Sequence, residues 1–272
     1  MPHVPSITLH GGTAIPQLGY GVFKVEPAEA RRAVTEALAA GYRSIDTAAY
    51  YRNEEGVGEA IRNGDVPREH VFVTTKLWND DQGYDSALRA FDASMGRLKL
   101  DVLDLYLIHW PRPSQDKYVE TWRAFERLLE EGRVRAIGVS NFTIAHLQRL
   151  MGETAIRPAL NQVELHPALP QEELHRFHGE HGIVTEAWSP LARGDLDAPV
   201  IRDLAAKHDR TPAQVVLRWH MQRGIVAIPK SVTPSRIREN IAVFDFALDE
   251  DDMRRMATLD TGTRTGPDPD RL

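Results

Sequence analysis

Short apolar runs alternate with longer amphipathic ones along this chain. Eight of the short runs are strand-like: QLGYGVF (17–23), RSIDT (43–47), VFVTTK (71–76), VLDLYLIH (102–109), VRAIGVS (134–140), ALNQVEL (159–165), IVTEAW (183–188) and IVAIPK (225–230). Between them lie segments of helical period: PAEARRAVTEALAAG, EEGVGEAIRNG, YDSALRAFDASMGRL, KYVETWRAFERLLEEG, TIAHLQRLMG, QEELHRFHGEHG, VIRDLAAKHDR with TPAQVVLRWHMQRG, and TPSRIRENIAVF. The first carries Pro27 near its start and Gly41 just past its end, the usual asymmetry of helix termini. Strands that alternate with helices in this way predict an α/β fold, a (β/α)8 TIM barrel. The alternative, a doubly wound sheet, expects a Gly-rich dinucleotide turn after its first strand. LGYGVFKVE does not supply that pattern. Ahead of the first strand, SITLHGGTAI reads as a β-hairpin with a Gly-Gly turn, placed to plug the bottom of the barrel. Residues 1–272 read as one domain without linker or repeat, and the tail DTGTRTGPDPDRL is expected to be loose.

A barrel places its chemistry where the strands end. Asp46, Lys76 and His109 each close an apolar strand at its carboxyl end, and neighbouring strands lie about 5 Å apart, so these side chains should converge. The segment GYRSIDTAAYYRNE adds Tyr50, Tyr51 and Asn53 directly after Asp46. Taken singly, each has a plainer reading: Asp46 as a cap, Lys76 as a surface residue with its head in water, His109 as a structural group, the tyrosines as packing. Their joint placement favours function. The chemistry it suggests is proton transfer: a lysine ammonium beside a tyrosine stabilises the ionised phenol and lowers its pKa, and a carboxylate such as Asp46 keeps the buried ammonium charged.

A second cluster is IPKSVTPSRIREN (228–240). Thr233 and Pro234 are a suitable N-cap and first residue for a helix, and Lys230, Ser231 and Arg236 surround its start. This is an anion site by design, at a corner where barrels often hold phosphate; the plainer reading is an ordinary capped helix with a solvated Arg236.

Charge and composition narrow the picture. A net charge of −6, mixed in sign along the chain, argues against a nucleic-acid surface. The absence of cysteine removes disulfides and thiolate chemistry and fits a cytoplasmic protein. MPHVPSITLHGG has neither the basic nor the apolar part of a signal peptide, and no apolar run is long enough to span a membrane. No H-E-x-x-H pattern occurs; the histidines of HRFHGEH sit on an outer helix, so no metal is expected. No unusual apolar face is read, and a monomer is expected.

Together GYRSIDTAAYYRNEEGVGEAI, VFVTTKLWN, DLYLIHWP, AIGVSNF, NQVELHP and AIPKSVTPSRIRENIAVFDFAL resemble the aldo-keto reductase family, over nearly the whole chain and in family order. PQLGYGVFKVEP and EAWSPLARG are most similar to its bacterial 2,5-diketo-D-gluconic acid reductase-like branch. The resemblance implies NADPH-dependent reduction of small carbonyl compounds: keto-sugars, dicarbonyls or aromatic aldehydes. It implies that Asp46, Tyr51, Lys76 and His109 form the catalytic tetrad, with Tyr51 the acid and His109 orienting the carbonyl. It implies a cofactor site in which Gly21 and Val22 form a backbone strip, Ser140, Asn141 and Gln162 bind the carboxamide, and Trp188 stacks on the nicotinamide. Ser189 and Leu191 would line the pyrophosphate, Lys230, Ser231, Val232 and Arg236 the 2′-phosphate, and Glu239 and Asn240 the adenine. Phe23, Tyr50, Trp78 and Trp110 would form an apolar substrate pocket with His109. The chain stops soon after DMRRMATLD, without the long C-terminal loop of many family members, so a more open pocket is expected. Two other readings remain: an NADPH-binding subunit with little turnover, and a Schiff-base lyase using Lys76 or Lys230.

Overall fold

The expected alternation resolves into ten strands and ten helices in the computed structural model, which describes residues 4–272. Residues 1–3, the start of the stretch read as lacking a signal peptide, lie outside the described residues. Strands β1 (Ser6–Thr8) and β2 (Ala14–Pro16) pair antiparallel across the Gly11–Gly12 turn, where both glycines take positive φ. The other eight are β3 (Tyr20–Gly21), β4 (Ser44–Asp46), β5 (Phe72–Leu77), β6 (Leu103–Ile108), β7 (Val134–Ser140), β8 (Leu160–Glu164), β9 (Val184–Trp188) and β10 (Val226–Ala227). They lie side by side and parallel in chain order. The barrel closes between its first and last strands: Leu18 bridges to Ala227 in parallel, Gly19 N donates to Ala227 O at 2.9 Å, and Ala227 N donates to Gln17 O at 3.0 Å.

The helices are α1 (Pro27–Ala40), α2 (Glu54–Arg62), α3 (Tyr84–Leu98), α4 (Tyr118–Glu130), α5 (Ile144–Glu153), α6 (Glu172–His181), α7 (Pro199–His208), α8 (Pro212–Gln222), α9 (Pro234–Ile241) and α10 (Glu250–Ala257). Gly41 ends α1 at φ 111°, donating back to Ala37 and Leu38. Alternation along each strand sorts the side chains into two cores. Outward residues such as Ile45, Val73, Tyr106 and Ile137 pack under the helices with Val34, Trp122, Phe125 and Leu217. Inward residues Phe72, Leu105, Leu107, Ala136, Leu160 and Val226 fill the lower barrel, and Leu9 and Ile15 of the hairpin close it from below. The hairpin is therefore the expected plug. The filling is tight: a Cβ at Gly138 would lie 2.6 Å from the Leu160 carbonyl oxygen.

Two features depart from the sequence reading. Helix α10, EDDMRRMA, was not anticipated because five of its eight residues are charged; it forms because Asp249 accepts from Asp252 N at 2.9 Å and Met256 is buried. The C-terminal tail is not loose. Thr261 N and Thr263 N donate to Ala168 O, and Thr265 donates both N–H and hydroxyl to Glu164 Oε1, each at 2.6 Å. Among the described residues no helix is long and apolar enough to cross a membrane.

Candidate active site

The upper barrel, at the carboxyl ends of the strands, is lined by polar groups. Asp46 ends β4 and Lys76 lies one residue before the end of β5. Their side chains meet at 2.6 Å, and both are buried. Lys76 Nζ also donates to Thr47 O at 3.0 Å and to Tyr51 Oη at 3.4 Å, which occupies all three ammonium protons. Tyr51 reaches this point because residues Ala49–Tyr51 form one 3-10 turn, closed by Tyr51 N to Ala48 O at 3.0 Å and followed by Arg52 at φ 57°. Asn53 pins the turn. Its Nδ2 donates to Val22 O and Val25 O at 2.9 and 3.0 Å, and its Oδ1 accepts from Thr47 at 2.8 Å.

Burial works against the Lys76 ammonium, but Asp46 and then Tyr51 more than offset it, and its pKa lies above the usual lysine value. Tyr51 goes the other way from the simple expectation. Burial pushes its phenol up to about 12, and the opposing pull of Lys76 only limits the rise. At neutral pH the site thus holds a fully protonated phenol beside a fixed cation. His109, at the end of β6, is neutral: burial first, and Lys76 second, hold its pKa well below the ordinary value. Its ring meets those of Tyr51 and Trp78 edge-on, with centroids 5.7 and 5.2 Å away.

Around this centre the aromatic residues form an open wall. Tyr50 stacks on Trp78 at 3.8 Å between centroids, and Phe23 lies 5.0 Å from Tyr51. Phe23 and Tyr50 are the exposed large apolar side chains among the described residues, 45% and 51% accessible. Trp110 is largely buried, and its carbonyl takes a hydrogen bond from Gln82.

On the opposite side Ser140 donates to Gln162 O at 2.8 Å, and Asn141 Nδ2 donates to His109 O and Ser140 Oγ. Trp188 Nε1 donates to Asn141 Oδ1 at 2.7 Å. Asn141, at φ 65°, is therefore committed on both ends of its amide. Gln162 differs. Its Nε2 is shared between Asp46 Oδ2 at 2.8 Å and Glu186 Oε2 at 2.7 Å, while no described residue donates to its Oε1. Gly21 and Val22 lie between Asp46 and the last strand end: Gly21 N donates to Pro229 O and Val22 N to Asp46 O, and a Cβ at Gly21 would come 3.0 Å from the Ile228 carbonyl oxygen. Ser189 turns at φ 47°, Pro190 O faces the ring Nε2 of the buried His220 at 3.1 Å, and Leu191 follows, half-buried.

At the last strand end, Tyr20 Oη donates to Ser231 O and Ser231 Oγ accepts from Thr233 N at 3.1 Å, which shapes the loop before α9. Thr233 occupies the N-cap position without a side-chain capping bond. Lys230 and Arg236 are exposed and form no ion pair among the described residues, and Val232 is half-buried. Of the expected adenine contacts, Glu239 already accepts from Thr211 at 2.7 Å and Asn240 is buried. The histidines of HRFHGEH point elsewhere: His175 and His178 both meet Thr185 Oγ1 at 2.8 Å.

A phenol, an ammonium, a carboxylate and a neutral imidazole thus meet at the mouth of the barrel, with an open basic corner at the end of the last strand. The profile of the Aldo/keto reductase family matches residues 11–261. The chain belongs to the aldo/keto reductase family. It is 58% identical over 266 residues to an aldo-keto reductase of Mycolicibacterium smegmatis, covering 97% of each chain. It is 53% identical over 269 residues to methylglyoxal reductase DkgA of Escherichia coli K12, covering 98% of this chain and 97% of the other. The crystal structure of a mutant of Gox0644 in complex with NADPH superposes with a TM-score of 0.96 at 50% identity, covering 99% of each chain.

Several residues that shape this reductase-family site escaped the sequence reading: Tyr20, Thr47, Asn53 as a clamp, Glu186 and His220. Glu186 had a signal, since it lies two residues before Trp188 and a strand period of two puts both on the inner face. The others act through backbone carbonyls or on loops, which no spacing rule reveals.

Proposed function

We propose that this chain reduces aldehydes and ketones with NADPH, with Tyr51 as the general acid. The observation that carries the reading is the buried chain Asp46–Lys76–Tyr51, at 2.6 and 3.4 Å, opening beside a neutral His109. The residues present suit the cofactor. Among the described residues Gln162 Oε1 is an unused acceptor for an amide and Lys230 and Arg236 are cations with no carboxylate partner, while Gly21 carries no side chain on the backbone strip. Bound there, the reduced nicotinamide would supply hydride to the carbonyl carbon. His109, neutral and so able to donate one ring N–H, orients the carbonyl oxygen. Tyr51 Oη gives its proton to that oxygen as negative charge develops, and the Lys76 ammonium stabilises the phenolate left behind. Asp46 keeps Lys76 charged through the cycle.

The open aromatic wall with few charges favours small dicarbonyls such as methylglyoxal, 2,5-diketo-D-gluconate-like keto-sugars and aromatic aldehydes. A Schiff-base role for Lys76 is disfavoured by its ion pair and raised pKa, which withhold the free amine. We place the protein in the cytoplasm as a monomer. A panel of these carbonyls assayed by NADPH oxidation tests the reading. Turnover of at least one class is expected; NADPH binding without turnover of any would favour the non-catalytic, cofactor-sensing alternative.

A further inference from the structure

Inside the upper barrel two buried carboxylates, Asp46 and Glu186, share the surroundings of one buried cation, Lys76. Asp46 Oδ2 and Glu186 Oε2 both accept from the single Gln162 Nε2, at 2.8 and 2.7 Å. Lys76 has no proton left for Glu186, since its three donors go to Asp46, Thr47 and Tyr51. Glu186 is 1% exposed, so bulk water does not solvate an ionised carboxylate there. The groups around it are few. Gln162 of β8 lies opposite it in register on one side and the apolar Val226 of β10 on the other. Across the barrel the titratable groups that act on it are Asp46 and Lys76, and it acts in turn on Tyr51.

We propose that Glu186 is a positioning residue for proton transfer: it holds its own proton, leaves Asp46 as the sole buried anion balancing Lys76, and with Asp46 fixes the Gln162 amide so that Oε1 faces the cofactor side. The charge count requires the first part, because an isolated buried carboxylate without a cation is strongly disfavoured. Burial first, and the Asp46 charge second, raise the Glu186 carboxyl well above the ordinary range, in agreement with that count. The amide orientation follows from Asp46, which is an acceptor only and so demands the NH2 end of Gln162. When Glu186 ionises at higher pH, the added buried negative charge makes Tyr51 a poorer acid, and reduction slows. Glu186 thus sets the alkaline limb of the reaction. The inference rests on the carbonyl-reductase reading for its kinetic part and on the structure alone for its charge state.

The test compares wild type with Glu186→Gln, which copies the neutral form in shape. With each profile scaled to its own neutral-pH value, the alkaline fall in kcat/KM should move up by at least about one pH unit in the variant. Difference infrared spectra of the two proteins at neutral pH should show a protonated-carboxyl band in wild type that Glu186→Gln lacks and that fades as the pH rises. Superimposable pH profiles, or no such band, would overturn the proposal. If Glu186→Gln does not fold, Glu186→Met still tests the charge state, since it too must lack the carboxyl band and the alkaline titration, although it gives up the bond from Gln162 Nε2. The infrared result stands even if no carbonyl is reduced, which separates failure of this inference from failure of the function.

Discussion

Each end of the barrel holds a buried carboxylate paired to a cation, Asp104 below and Asp46 above, and the two pairs differ in what their cations touch. At the bottom, Asp104 accepts from Val73 N, Arg68 and Arg135, at 2.9, 2.6 and 2.9 Å. Its cations are partly in water, 29% and 48% exposed, and beyond Asp104 Arg68 donates only to the backbone carbonyls of Val71 and Val102. A cavity of about 660 Å³ lies beside it under the hairpin, lined by residues that include Arg43, Glu69 and His70. At the top, Asp46 pairs with a lysine that is wholly buried, and that lysine in turn touches a phenol. Both pairs satisfy the rule that buried charge must be matched. Only the upper pair spends its cation on a third group that can move a proton. A matched buried ion pair is thus poor guidance to function on its own; what its cation touches next is the guide.

The largest expected effect falls on that third group. Tyr51→Phe keeps the ring and removes the proton donor, so kcat should drop by about 10²–10⁴-fold while NADPH binding is unchanged. Near-normal kcat would erase the distinction between the two ends. Arg236→Ala probes how far the functional end extends. Losing a hydrogen bond to a charged phosphate costs about 1.5–3 kcal/mol, so the Kd for NADPH should weaken roughly 10- to 100-fold and that for NADH little. Equal losses for both cofactors would remove the 2′-phosphate corner.

The smallest effect concerns the tail on the rim of the upper end. Burial opposes the Glu164 carboxylate, but bonds from His166, Thr265 and Gly266 lower its pKa to about 2. A depressed carboxylate stabilises the fold above its unfolded pKa and loses that contribution as the pH falls toward the folded value. The tail contacts should therefore hold at neutral pH and weaken between about pH 4.5 and 2. Gly266 sits against Trp188, so tryptophan fluorescence should report the release, and Glu164→Gln should abolish the transition in that range. An unchanged fluorescence titration in Glu164→Gln would show that the tail is held by other contacts.

Much of this was legible in the chain because it follows periodicity. The eight strands, nine of the ten helices and the hairpin plug came from alternation and turn residues, and the meeting of Asp46, Lys76 and His109 came from strand ends being neighbours. Charge balance was less legible. The sequence reading paired Asp46 with Lys76 but could not weigh burial against that pairing, so it expected a lowered Tyr51 pKa where burial raises it. Helix α10 and the docked tail were missed because capping by Asp249 and the grip of Glu164 on Thr265 are tertiary facts carried by polar residues in segments that composition alone marks as solvent-loving. Asn141 was assigned to the cofactor, and only the structure reveals that the Trp188 indole already uses its oxygen.

The central claim is that the upper ion pair serves proton transfer and the lower one the fold. Lys76→Met and Asp104→Asn, measured side by side for thermal stability and for kcat of carbonyl reduction, test it most directly. Both should melt at lower temperature, because each leaves a buried polar partner unmatched. Lys76→Met should lose at least about 10²-fold in kcat, and folded Asp104→Asn should stay within roughly threefold of wild type. Normal reduction by Lys76→Met, or an equal loss of kcat in folded Asp104→Asn, would contradict the account.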